Sequence, residues 1–248
     1  NSLLLKKLAY FPIVQFMVVA LYLILVVLVL LAMKRAEQNK VWVGLSKETA
    51  HQLGTPISSM LAWTEILKTK YPDDKMMFEM EKDVNRLRTI AERFSQIGSK
   101  TEFELVEINQ LITKSLTYIR TRISKKVNIE FCSGSTYYVM INIPLFEWVI
   151  ENLCKNAVDA MNGEGGITIY IGDKESNVFI DITDTGKGIS KKNIKKVFNP
   201  GFTTKKRGWG LGLSLAHRII EEYHKGKIYV KHSEINKGTT FRIELKKV

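Results

Sequence analysis

Between Tyr10 and Met33 the chain is apolar and uncharged, interrupted only by Pro12 and Gln15. A helix of that length rises roughly 36 Å, enough to cross a hydrocarbon core of about 30 Å with some tilt. Lys6 and Lys7 precede the run, and Lys34, Arg35 and Lys40 follow it. A buried core helix is the competing reading, and the length, the lack of charge and the basic flanks all argue against it. A signal peptide fits poorly, because the run is too long and no small-residue cleavage site follows. The expected order is therefore a short flank over 1–9, a transmembrane helix over 10–33, and the rest of the chain on one side of the membrane. Lysines at both ends make the charge bias only slightly in favour of a cytoplasmic C-terminal part. The chain begins at Asn1, not Met, and the expectation is a piece of a longer protein.

The 248 residues are enough for about two domains. No Pro/Gly/Ser-rich linker follows the apolar run, so 34–45 reads as helix leaving the membrane, either a rod that passes on motion or a passive spacer. Leu53, Ile57, Met60, Leu61, Thr64 and Leu67 then recur at intervals of three and four, as do Met77, Met80, Val84, Leu87, Ala91, Phe94 and Ile97. Tyr71-Pro72-Asp73-Asp74 between them is a turn and a helix start. Two amphipathic helices joined this way form a hairpin that cannot bury both stripes alone. Two copies make a four-helix bundle, so 46–100 is expected to dimerise. Gly98-Ser99-Lys100 ends the second helix.

From 101 to 248 the pattern changes to short strands and helices. Helices are predicted over 108–122, 144–161 and 211–223, with Pro144 in a first turn. Strands are predicted over 127–131, 137–141, 167–171, 178–183, 228–231 and 239–245, and Gly163 to Gly166 supply a turn. Such alternation implies a two-layer α/β sandwich. There is no internal repeat.

His51 lies on the flank of the first stripe. A neutral imidazole can act as a nucleophile through one ring nitrogen while the other keeps its proton, although an exposed solvated histidine is the plainer reading. Thr55 stands at i+4, with its hydroxyl near the ring or back-bonded to the helix. Pro56 removes a helix hydrogen bond just beyond. A hundred residues later, Asn152 and Asn156 share one helix face, where amide oxygens suit a hard cation such as Mg²⁺. Asp184, with Gly186 and Gly188, sits at a strand end, where a carboxylate can accept from an amino group and glycines allow close approach. Phe198 and Phe202 flank a turn and read as core, hinge or both. They are followed by Thr203, Thr204, Lys205, Lys206 and Arg207, cations that can meet phosphate oxygens or simply be solvated. Gly208, Gly210 and Gly212, with Leu211, open a helix whose N-terminus favours an anion. A dinucleotide-binding turn would need a strand immediately before it, and a basic loop stands there instead.

Read together, His51-x-x-x-Thr55-Pro56 resembles the phospho-acceptor motif of the histidine protein kinases of two-component signalling. Glu151 to Ala160 is similar to their N box, Asp184 to Gly188 to the G1 box, Phe198 to Lys205 to the F box, and Gly208 to Gly212 to the G2 box. The resemblance covers roughly 46–248. It implies a GHKL-type ATP-binding domain over 101–248 and ATP with Mg²⁺ as cofactors. Asn152 and Asn156 would serve the metal, and Asp184 would read adenine. Gly186, Gly188, Phe198, Phe202, Thr204, Lys205, Arg207, Gly208, Gly210, Leu211 and Gly212 would line the nucleotide. It implies autophosphorylation of His51, a homodimer, transfer to an aspartate of a response-regulator receiver domain, and a role for Thr55 in orienting the water that dephosphorylates that regulator. ATP use places Lys34 onward in the cytoplasm and the helix in the cytoplasmic membrane. The segment from Ser95 to Glu102 is the expected hinge.

Two departures from related families matter. An acidic residue usually follows the phospho-acceptor histidine, and here it is Gln52, an amide that can orient the ring but cannot take its proton. Glu48, three residues before His51, partly substitutes. The alternatives are therefore a chain acting mainly as a phosphatase of the regulator, or a non-catalytic ATP-binding scaffold. Asn152 also stands where gyrase-like ATPases carry a water-activating glutamate, which favours transfer to histidine over hydrolysis. The +12 charge raises nucleic acid as a partner. No DNA-reading or RNA-stacking motif accompanies it, and much of the charge clusters at the expected nucleotide lid, so nucleic acid is not expected. Cys132 and Cys154 form no disulfide or metal pattern and suit a reducing compartment.

Overall fold

The computed structural model describes residues 2–72, 74–97, 102–205, 208 and 210–248. The chain divides into two units, Asn1–Ser99 and Lys100–Val248.

The first unit is two helices. α1 runs unbroken over Ser2–Lys70, through Pro12 and Pro56. Its stretch Tyr10–Lys34 has a mean hydropathy of 3.2 with none of it buried, so length and composition suffice to cross a membrane. α2, Lys75–Gln96, starts at Asp74, whose side chain accepts from the Met76 amide. That bond satisfies one of the open donors of a helix start. The buried cluster joining the helices is Ile57, Val84 and Ala91, with Leu61 packed against it. Lys68 pairs with Glu81 at 2.8 Å across the hairpin. Thr64, on the predicted apolar stripe, is buried because its hydroxyl donates to the Met60 carbonyl at 2.7 Å. The predicted helix end at Gly98 to Lys100, and so half of the expected hinge, lies outside the described residues.

The second unit is a two-layer α/β sandwich. β1 (Glu104–Glu107) leads into α3 (Ile108–Arg120), followed by β2 (Val127–Ser133), β3 (Tyr138–Ile141), α4 (Ile143–Ala160), β4 (Gly165–Lys174) and β5 (Asn177–Asp184). A short α5 (Lys191–Ile194), α6 (Gly212–Arg218), a π-helical turn (Ile219–Tyr223), β6 (Lys227–Glu234) and β7 (Gly238–Lys246) complete it. The main sheet has the order β2-β4-β5-β7-β6, with β2 and β4 parallel and the other pairs antiparallel; β1 and β3 form a separate pair. Alternation puts Ile167, Ile169 and Ile171 of β4, and Val178, Ile180 and Ile182 of β5, on the buried face. Phe146, Val149, Ile150 and Leu153 of α4 are buried as well.

The other sheet face holds one buried charge. Asp181 accepts from Arg242 Nε at 2.6 Å and Nη2 at 2.8 Å, and from Lys231 Nζ at 2.8 Å. Burial opposes its ionisation, but the Arg242 and Lys231 bonds outweigh it and hold the carboxyl below the usual carboxylate range.

Three sequence expectations need correction. The turn predicted at Gly163 to Gly166 ends earlier, because the Gly165 amide donates to Lys126 O and Gly165 opens β4. The last predicted helix starts at Gly212, with Leu211 as its cap, and widens into a π turn after Arg218 because the Ile219 carbonyl is taken five residues on by His224. β1 was not predicted; its four residues carry too short an alternation to stand out from a loop.

Candidate functional site

In the first unit His51 is exposed on α1 and opens onto a groove between the helices that Glu48, Thr55, Ser58 and Ser95 also line. Gln52 donates from Nε2 to Glu48 Oε1 at 2.7 Å. The residue that breaks the expected acidic pattern thus holds a carboxylate one turn away. Glu48 and His51 lie three apart, on neighbouring positions of the helix surface.

In the second unit the predicted nucleotide residues gather around α4 and the start of α6. Asn152 and Asn156 lie one turn apart on α4. A Cβ added at Gly212 would stand 2.4 Å from Asn152 Oδ1, so the first turn of α6 packs on that amide only because residue 212 lacks a side chain. Asn152 Nδ2 is buried with no hydrogen-bond partner. An amide N–H₂ only donates, so an acceptor such as water or a phosphate oxygen would satisfy it.

Lys205 reaches back to the same helix. Its Nζ lies 2.8 Å from Asn156 Oδ1 and 2.7 Å from Asp159 Oδ2. The sequence left this ammonium to phosphate or to solvent; the structure has it on α4. It also brings in Asp159, one turn beyond Asn156, whose i+3 spacing was available as a signal. The contact bears on the metal, because the Asn156 oxygen already faces a cation. Amide oxygens that turn toward positive charge suit Mg²⁺, whose coordination the phosphates and water would complete.

Asp184 ends β5 and is buried. Its Oδ1 accepts from the Gly186 amide at 2.8 Å. Burial raises its pKa, while the Gly186 and Thr239 amides pull the other way. The turn after it is pressed against α4: a Cβ at Gly186 would stand 2.7 Å from the Ala160 carbonyl carbon. The strand end carrying the carboxylate and the helix carrying the two asparagines are thereby fixed together. Gly188 lies farther along this turn, with φ +68°.

Phe198 is half-buried, its ring 5.3 Å from His217 and 6.2 Å from Phe241. It is therefore a packing residue beneath the loop. Phe202 is half-buried, and Thr204 is exposed beside Lys205. The Gly201 amide donates to Gly210 O at 3.1 Å, which closes the base of the loop. Gly208 is exposed, and Arg207 lies outside the described residues. Among the described residues, no group of His, Cys, Asp and Glu forms a metal cluster, so a metal here depends on amides and the ligand itself. Cys154, buried behind Asn152 and Asn156, has its thiol pushed up to about 12 by burial and is chemically inert.

Residues 142–248 match the family described as Histidine kinase-, DNA gyrase B-, and HSP90-like ATPase. Over 221 residues the chain is 30% identical to sensor histidine kinase ZraS of Escherichia coli (strain K12), covering 86% of this chain and 47% of ZraS. The solved catalytic domain of histidine kinase ThkA, nucleotide-free, is 32% identical with a TM-score of 0.54, across 59% of this chain and 96% of that one.

The chain belongs to the histidine kinases.

ThkA has also been solved in complex with the response regulator protein TrrA. That kinase is 26% identical to this chain, with a TM-score of 0.57, over 87% of this chain and 64% of ThkA. The present chain spans about half the length of the curated relatives it matches. The second unit is the GHKL-type ATP-binding domain of this family.

Proposed function

We propose that the chain is the transmitter part of a membrane sensor histidine kinase, one that phosphorylates His51 from Mg-ATP and passes the phosphoryl group to an aspartate of a response-regulator receiver domain. The observation that carries the proposal is the convergence of Asn152, Asn156, Lys205, Gly212 and Asp184 around α4 in a chain that also holds His51 on an open helix face.

The residues divide the work. Asp184 accepts the adenine amino group with the oxygen that Gly186 leaves free. Asn152 and Asn156 would hold Mg²⁺, which would supply charge neutralisation for the phosphates. Lys205, seated on Asn156 and Asp159, would turn to phosphate oxygens. Thr204, Arg207 and the amides from Gly208 to Gly212 complete the anion cradle, while Phe198 and Phe202 support its base. His51 attacks the γ-phosphorus through one ring nitrogen; the bond to the bridging oxygen breaks, ADP leaves, and the imidazole releases a proton. Glu48, held by Gln52, accepts that proton. Thr55 orients the water that removes phosphate from the regulator.

The boundaries proposed are 10–33 in the cytoplasmic membrane, 34–45 as helical connection, 46–100 as dimerising acceptor domain and 101–248 as cytoplasmic ATP-binding domain. Apolar residues left exposed on the hairpin, among them Leu53, Met60 and Leu87, support a second copy of the chain and a four-helix bundle. The solved complex of ThkA with a response regulator supports the partner class. Transfer is the test: label on the phosphorylated chain should move to an added receiver domain, and Thr55→Ala should prolong its life there. Label that never leaves the chain refutes the regulator as acceptor.

A further inference from the structure

The nucleotide site uses none of the groups around His224, the most buried histidine in the described part of the second unit. Its ring is 9% exposed and lies between Phe103, at 5.3 Å, and Phe146, at 6.0 Å, both edge-on. Nδ1 lies 2.8 Å from the Ile219 carbonyl, and Nε2 lies 3.1 Å from the Asn142 backbone nitrogen. A carbonyl only accepts and a backbone amide only donates, so the ring must carry its single proton on Nδ1. A second proton on Nε2 would face the Asn142 N–H.

Asn142 links this ring to two further elements. Its Oδ1 accepts from the Leu145 amide at 3.0 Å, capping α4, and its Nδ2 donates to the Glu102 carbonyl at 3.0 Å. Glu102 and Phe103 are the first described residues after the boundary between the two units. One histidine therefore joins the segment just before β1, the start of the helix bearing Asn152 and Asn156, and the end of the helix that opens at Gly212.

We infer that neutral His224 is a positioning residue, a clasp that fastens the segment at Glu102 and Phe103 to α4, and that protonation of its Nε2 releases this segment. The groups facing the ring are the Asn142 amide, the Ile219 carbonyl and the two phenyl rings. Of the charged residues nearby, Glu221 pairs with His217 and Glu222 with Arg218, while Glu102, Glu104 and Lys225 are exposed; among the described residues no carboxylate is hydrogen-bonded to the ring. Burial lowers the pKa of His224, against the pull of its two backbone bonds. The clasp is thus fully present above the ordinary histidine range and is lost as pH falls through the depressed value.

Hydrogen exchange on the full chain in lipid nanodiscs tests this, with protection factors corrected for the intrinsic pH dependence. Protection of 102–107 should fall at least about tenfold between roughly pH 7.5 and pH 5 in the wild type, a change of about 1.4 kcal/mol or more. His224→Gln, which can donate to Ile219 and accept from Asn142 without titrating, should hold its protection at both pH values. His224→Phe should lack it at both, and ¹⁵N shifts should report the Nδ1–H tautomer at neutral pH. Protection of 102–107 that ignores pH, a ring protonated at neutral pH, or losses spread equally through β4, β5 and β7 would each overturn the clasp.

Discussion

The two units treat their apolar residues differently. In the ATP-binding unit Ile167, Ile169, Ile171 and Ile180 are exposed by 1% or less. In the hairpin Leu53 keeps 41% of its surface, Met60 40%, Leu87 45% and Ile90 38%, around a cluster of small and β-branched residues. One unit closes a core from its own chain; the other carries apolar surface that its own chain does not cover. The difference separates a nucleotide site built within one chain from an acceptor helix whose packing is proposed to need a second copy. It also separates the proposed roles: a closed pocket would hold ATP, while an open helix face would let His51 meet first a γ-phosphate and then a regulator.

The largest effect should come from breaking the open side of this comparison. Leu53→Asp with Leu87→Asp removes two apolar side chains per copy whose remaining exposure, a little over two fifths of each, leaves about 0.6–1.3 kcal/mol apiece for a second copy to bury, so dimer affinity should drop by at least about 10²-fold. Sedimentation should show monomers while ATP affinity stays within about twofold, since the pocket lies in the other unit. Dimers that persist would place the contact elsewhere.

A smaller effect sharpens the closed side. Because burial raises the Asp184 pKa, its neutral form contributes stability that is complete below the ordinary carboxylate range and lost as pH rises through the raised value. At neutral pH Asp184→Asn should therefore raise the melting temperature of the ligand-free chain. The same change leaves one acceptor oxygen where two are needed, costing about 1.5–3 kcal/mol, or roughly 10- to 100-fold, in ATP affinity by calorimetry. A variant that binds ATP normally would remove Asp184 as the adenine acceptor. The smallest expected change is at Gln52. Gln52→Ala frees Glu48 at a stability cost of about 0.2–0.5 kcal/mol and should slow His51 phosphorylation only a few-fold. A much larger loss would show that Gln52 itself contacts the ring.

The sequence carried the ATP-binding unit well because its strands alternate cleanly and its glycines mark close contacts. The motif spacing marked Gly186 and Gly212 for approach of a nucleotide; that Gly212 also lies against Asn152 and Gly186 against Ala160 emerged only with the fold. What stayed hidden depended on distant partners. Lys205 on Asn156 and Asp159 joins a loop to a helix nearly fifty residues earlier, which no local pattern encodes. His224 draws its role from Asn142, Glu102 and Phe103, all far away in sequence. Gln52 was legible as a departure, but its bond to Glu48 emerged only with the helix built. The π turn was illegible because it differs from an α-helix by one residue in a single hydrogen-bond step.

The most direct measurement is phosphoryl transfer itself. The chain, in detergent or nanodiscs, is incubated with Mg-ATP labelled at the γ-phosphate, beside a His51→Gln control. Acid-labile, base-stable label on the wild type and none on the control is the predicted result. ATP bound with normal affinity but no label on His51 would contradict the account and leave the pocket serving a chain that does not phosphorylate its own histidine.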